Sequence, residues 1–66
     1  MSESPLEKIR KAAGWSRDRA AVEARVSYAI CRLYEACPGA IVRTDVRTRL
    51  DSTYAIIGAE AARVSK

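Results

Sequence analysis

Apolar side chains recur at the helical spacing of three and four in three stretches of the chain. In the first, Leu6, Ile9 and Ala13 are set among Lys8, Arg10 and Lys11. Ser4-Pro5-Leu6-Glu7 opens it with a start signal: serine at the N-cap, proline at the first helical position, and glutamate where it completes a capping box. Gly14 can take the left-handed conformation that ends a helix. In the second stretch Val22, Val26, Ala29, Leu33 and Ala36 follow one another at 4-3-4-3 spacing, with Ile30 and Cys37 alongside. Ser16 caps it and Asp18 complements the dipole of its first turn. Cys37-Pro38-Gly39 stops it, because proline cannot continue the hydrogen-bond ladder. In the third, Val46, Leu50, Thr53, Ile57, Ala61 and Val64 make the stripe, with Thr44 or Asp45 as cap.

The pattern predicts an all-α fold in a single small domain, residues 1–66, with helices over about 5–13, 17–37 and 44–64. The second helix would be about 20 residues and roughly 30 Å long. With a short connection and a third helix of similar length, the expected architecture is a short N-terminal helix followed by a long antiparallel hairpin. Residues 40–42 fit either an extra helical turn or a short extended stretch.

Composition makes that hairpin a thin one. Twelve of the 66 residues are alanine, and only four, one tryptophan and three tyrosines, are aromatic. A domain this small buries only about 60% of the surface its unfolded chain exposes and often needs a disulfide framework, a metal or a partner chain. Two cysteines make no disulfide scaffold, and the absence of histidine removes the usual zinc patterns. A second copy is the remaining support, so the hairpin is expected to dimerise into a helical bundle. Cys31 and Cys37 lie six apart in the expected helix, point in different directions and read as small apolar residues.

The same absences exclude function classes. There is no histidine for general-base or triad work, no base beside either cysteine, and no glycine-rich phosphate loop, since Gly14, Gly39 and Gly58 are far apart. The chain is therefore expected to be no enzyme, with no catalytic residues, cofactor, metal or small-molecule substrate. No apolar run approaches the roughly 20 residues that span a bilayer, and the N-terminus lacks the pattern of a signal peptide. The expected location is the cytoplasm, away from membranes.

What the helices leave over carries the functional reading. On the third helix Ala55, Gly58, Ala59 and Ala62 share a face of small side chains. It is either an alanine-rich solvent face or a tight helix–helix contact, the candidate oligomer interface. Gly58 favours the contact, because glycine inside a helix costs about 1 kcal/mol relative to alanine. On the second helix Tyr28 falls opposite the stripe, flanked by Arg25 and Arg32. On the third, Ile56 lies off the stripe between Arg49 and Arg63. Tyrosine and arginine are enriched at interface hot spots. The candidate partner-binding set is Arg25, Tyr28, Arg32, Arg49 and Ile56, with Trp15 and Tyr54 as anchors at the helix ends.

The net charge of +4 and pI near 9.5 raise nucleic acid as a partner. Leu6 to Ile9-Arg10, then Gly14-Trp15-Ser16, resembles the first helix of the Cro/repressor-type helix-turn-helix domains and the start of their second. Ala20-Ala21 and Ala24-Arg25-Val26-Ser27 resemble their second helix and turn. The resemblance covers about 25 residues and implies a DNA-binding regulator. It departs at Arg25, where the family has the glycine of its left-handed turn. The hydrophobic residue expected four places after Ser27 falls on Cys31, with Ile30 one position early, and nothing after Glu35 matches. Since Arg25 lies in an unbroken helical pattern, residues 17–37 are predicted as one helix. Acids are also interleaved with the arginines, Asp18 beside Arg17 and Arg19, Asp45 near Arg43 and Arg47, Asp51 near Arg49. That interleaving favours an acidic protein patch over a phosphate backbone. The expected function is thus a non-catalytic protein-binding module, an adaptor or inhibitor of the phage- or plasmid-accessory kind, docking on a larger host protein as a homodimer. DNA binding through a degenerate helix-turn-helix is the alternative.

Overall fold

A computed structural model describes residues 4–64, and among them the chain is all-α. Helix α1 spans Pro5–Ala12, α2 Arg17–Ala24, α3 Tyr28–Ala36 and α4 Thr44–Val64, with a 3-10 turn at Pro38–Ala40 between α3 and α4. Three serines start the three short helices. The hydroxyls of Ser4, Ser16 and Ser27 accept from the amides of Glu7, Arg19 and Ile30 at 3.1–3.2 Å, each satisfying one of the donors that a helix N-terminus leaves unpaired.

The single helix expected over 17–37 is two helices. Arg25 has φ 58° and ψ 45°, the left-handed conformation. Its amide bonds the Val22 carbonyl at 3.1 Å and the Val26 amide bonds that of Ala21 at 3.0 Å. Those two bonds form a Schellman termination. Helix α1 ends the same way: Gly14 at φ 79°, its amide on Lys11 and that of Trp15 on Arg10. Arginine thus occupies at the end of α2 the position glycine holds at the end of α1.

The break also overturns the stripe read across it. Val22 is 72% exposed, and Ala29, Leu33 and Ala36 are exposed as well. Helix α2 instead buries Ala20, Ala21 and Ala24, and α3 buries Cys31, Tyr34 and Glu35. Among the described residues α4 therefore has no single long helix to pair with. It receives α1 and α2 against its length, while α2 packs on α3.

Helix α4 follows the expectation from sequence closely. Leu50, Thr53, Ile57 and Ala61 are buried, Tyr54 joins them, and only Val64 at the end of the stripe is exposed. Leu50, Ile57 and Cys31 are the largest fully buried side chains, and Trp15, Tyr34 and Ile41 close the core around them. Residues 40–42, which fit either an extra helical turn or an extended stretch, divide between the two: Ala40 ends the 3-10 turn, and Ile41 is in extended backbone and buried. Cys31 is buried and Cys37 exposed, and both are free thiols. No helix among the described residues is long and apolar enough to cross a membrane.

Candidate nucleic-acid interface

A buried carboxylate determines how α3 is held. Glu35 is 3% exposed and Arg10 5%. Arg10 Nε donates to Glu35 Oε2, and its Nη1 donates to the Trp15 carbonyl at 2.8 Å. Arg17 Nε donates to Glu35 Oε1 at 3.0 Å, and Tyr54 Oη donates to Oε2 at 2.6 Å. One side chain of α3 is thereby bonded to α1, α2 and α4. Burial alone would raise the Glu35 carboxyl, but the bonds from Tyr54, Arg10 and Arg17 outweigh it and hold the group below the usual carboxylate range. Because Tyr54 gives its one proton to Glu35, the 3.2 Å contact between Cys31 Sγ and Tyr54 Oη has the thiol as donor. Burial pushes the Cys31 thiol up, which keeps it protonated for that role. Every buried side-chain nitrogen and oxygen among the described residues has a partner.

Arg49, expected on a partner-binding surface, spends its guanidinium on the turn. Its Nε donates to the Ala24 carbonyl at 3.1 Å and its Nη2 to that of Arg25 at 3.5 Å. A cation there complements the negative end of the α2 dipole and satisfies carbonyls that the helix end leaves open. The α2–α3 turn is thus fixed from inside by Glu35 and its partners and from α4 by Arg49.

The outward face of α3 carries Tyr28, Ala29, Arg32, Leu33 and Ala36, which line a shallow hollow. Arg17 reaches Tyr28 from α2: its Nη1 donates to the hydroxyl at 3.0 Å, and its guanidinium carbon is 5.6 Å from the ring centre. Leu33 also borders a second apolar hollow formed with Ile30, Ile41, Val42 and Val46. Between residues 25 and 43 the only acid is Glu35, and it is neutralised in the interior. Among the described residues no ion pair holds Arg25 or Arg32, while Arg43 makes an exposed pair with Asp45 at 3.4 Å. The outward face of α3 itself thus presents no acid, while beside it Asp45 pairs with both Arg43 and Arg49, the latter at 3.6 Å.

The structure brings Arg25, Tyr28 and Arg32 of the expected partner-binding set to one region, the turn and outer face of α3. Ile56 is exposed on α4. Trp15 and Tyr54 are corrections: both are 5% exposed and belong to the core. Trp15 Nε1 donates to Glu60 Oε1 at 3.0 Å, and the Arg19 guanidinium covers its ring at 3.9 Å. Of the small-residue face, Ala55, Ala59 and Ala62 are exposed. Gly58 faces α1, where an added Cβ would meet only Ile9 Cγ2 at 3.9 Å, an ordinary contact. The close approach inferred from a glycine inside the helix is not what the backbone needs there. Sequence reasoning missed Arg10, Arg17 and Glu35, whose roles depend on partners 18 and 25 residues apart. It also placed Ala29 and Leu33 in the core. Ser27, a cap-type residue two positions past the break, was the available signal.

The chain matches no protein-family model, no curated protein and no solved structure.

Proposed function

We propose that this chain is a small, non-catalytic DNA-binding protein that lays α3 in the major groove, with α2 crossing the backbone. The observation that carries this reading is the left-handed Arg25, which separates two short helices by three residues, the connection characteristic of a helix-turn-helix unit. The surface agrees with it. The outer face of α3 has no exposed acid; Arg32 stands on it, Arg25 precedes it, and Arg43, paired with Asp45, follows it in the chain. A helix of nine residues is about 13 Å long and covers only about four base pairs. Selective binding therefore calls for two copies on two half-sites, as such units generally use. The exposed α4 face with Ala55, Ile56, Ala59 and Ala62 is open to a second copy. Such a regulator would act in the cytoplasm.

A second reading is supported by a separate observation. Leu33 and Val42 are exposed at the edges of adjoining apolar hollows, and Val42 is 87% exposed. A protein adaptor or inhibitor of the accessory type would seat a partner's apolar side chain there. One experiment divides the two. In a gel-shift assay on random-sequence duplex DNA, the DNA-binding reading expects retention that weakens about 10³-fold between 50 and 200 mM salt for six phosphate contacts. No retention at the lower salt would remove it and leave the adaptor. In that case a pull-down comparing the wild type with a Tyr28→Ala, Arg32→Ala variant should recover different proteins.

A further inference from the structure

Resting on the DNA-binding reading, we infer that α3 recognises one guanine through Arg32 and the 5-methyl groups of neighbouring thymines through Ala29 and Leu33. The inference comes from which chemical groups α3 presents and which it lacks. Base edges in the major groove are read by a short set of pairings: arginine or lysine on guanine, asparagine or glutamine on adenine, a carboxylate on cytosine, and an apolar side chain on the thymine methyl. Helix α3 contains no asparagine, glutamine or aspartate, and its one glutamate is buried and taken by Arg10, Arg17 and Tyr54. It has no group for adenine or cytosine. What remains is Arg32 and an apolar surface.

Position assigns Arg32 to a base and the other arginines to phosphates. Arg32 lies in the middle of the outward face, in the hollow it shares with Tyr28, Ala29, Leu33 and Ala36. Arg25 precedes the helix and Arg43 follows it, where the two strands bounding a groove would run. Tyr28 is tethered by Arg17 beside the helix start, which leaves Ala29 and Leu33 flanking Arg32 at i−3 and i+1. With about 1.5 Å of rise per residue, Ala29 and Arg32 are separated by about one to two base-pair steps. The expected half-site is a guanine with thymines within two positions of it.

The test begins with selection of bound duplexes from a random pool, which should return a guanine beside A·T pairs. The selected duplex is then remade with uracil for thymine in the half-site, which deletes only the methyl groups. Affinity should fall about fourfold for each contacted methyl. Arg32→Ala, at an exposed position, should keep the helical circular-dichroism spectrum of the wild type. It should lose discrimination at the guanine, about 5- to 150-fold, and retain salt-dependent binding through the remaining arginines. Two outcomes overturn the inference and leave DNA binding standing: uracil duplexes bound as tightly as thymine duplexes, or guanine still preferred by Arg32→Ala. Absence of binding to every duplex at low salt overturns the inference and the DNA-binding reading together.

Discussion

Replacing Glu35 with alanine should bring the protein to the edge of unfolding. The substitution removes the acceptor of three hydrogen bonds, from Arg10, Arg17 and Tyr54. Arg17 can turn to Glu7, already 3.3 Å from its Nη2, and to water. Arg10 cannot: at 5% exposure it keeps the Trp15 carbonyl and a Glu7 oxygen 3.9 Å away. Breaking a buried ion pair by removing one partner costs about 3–5 kcal/mol, because the surviving charge is left uncompensated. A chain of 66 residues has about 3–10 kcal/mol of total stability, so this one change removes a third of it or all of it. Urea denaturation followed by circular dichroism and by Trp15 fluorescence reads the effect. With a slope of about 1 kcal/mol per molar urea, the midpoint should drop by about 3 M or the folded baseline should vanish. Replacing both partners, Arg10→Met with Glu35→Leu, removes charge and counter-charge together and should recover part of the loss, the Tyr54 hydroxyl and the Trp15 carbonyl still being left without those partners. A Glu35→Ala variant within about 1 kcal/mol of wild type, or a double variant no better than the single, would refute this account of the core. The pH dependence has a definite sign. The folded carboxyl lies below its unfolded value of 4.5. Its contribution is therefore complete above pH 4.5 and is lost as pH falls through the lower folded value. Glu35→Gln should flatten that acid limb.

Three further outcomes are expected. Gly58→Ala should stabilise the protein by about 0.5–1 kcal/mol, since the new Cβ meets only Ile9 at 3.9 Å and glycine is a poor helix former; a lower thermal midpoint would mean α1 sits closer to α4 than described. Arg25→Gly should raise stability by about 1 kcal/mol, or 4–8 °C in melting temperature for a domain this size, by relieving a left-handed non-glycine residue. On the DNA-binding reading, the same variant should also bind duplex DNA more weakly, because a charge beside α3 is gone. In an alkaline titration followed by tyrosinate absorbance, Tyr34 and Tyr54 should ionise late. Burial and the Asp51 carboxylate push Tyr34 up to about 12, and burial with Cys31 and Glu35 pushes Tyr54 up too. Their stabilisation is whole below the ordinary phenol value of 10 and fades as pH rises through the folded values, so ionisation of all tyrosines together near pH 10 would contradict the buried network.

How much of this was readable depended on whether the signal was local. Ser4 and Ser16 cap their helices as expected, Gly14 ends α1, and the stripe of α4 from Leu50 to Ala61 faces the core. These features are set within one or two turns. The break at Arg25 was masked in the periodicity because arginine is a good helix former. Val22 and Val26 also stand four apart and mimic a continuous face, although the first of them points to solvent. The residues Ala24-Arg25-Val26-Ser27 carried the correct turn through their resemblance to a helix-turn-helix, in conflict with the periodicity. Glu35 was illegible for another reason. Along the sequence it is one acid among eight, and nothing local separates a glutamate facing water from one that accepts three bonds in the core.

The buried carboxylate and the outer face of α3 are joined through Arg17. Its Nε is bonded to Glu35 in the interior and its Nη1 to the Tyr28 hydroxyl at the surface. The start of α3 is thus positioned by a side chain that is itself anchored in the core, while Arg49 pins the carbonyls of the turn. Order imposed before binding lowers the cost of ordering on binding, which matters for a face of few contact groups. Arg25 then acquires a reason beyond its conformation. A left-handed arginine costs on the order of 1 kcal/mol that glycine would not, and residues held in such conformations tend to cluster where a molecule acts. Glycine would make the same turn without the charge. On the DNA-binding reading, a cation held at the edge of α3 would offset that strain, because an anionic backbone is the partner for which such a charge counts most.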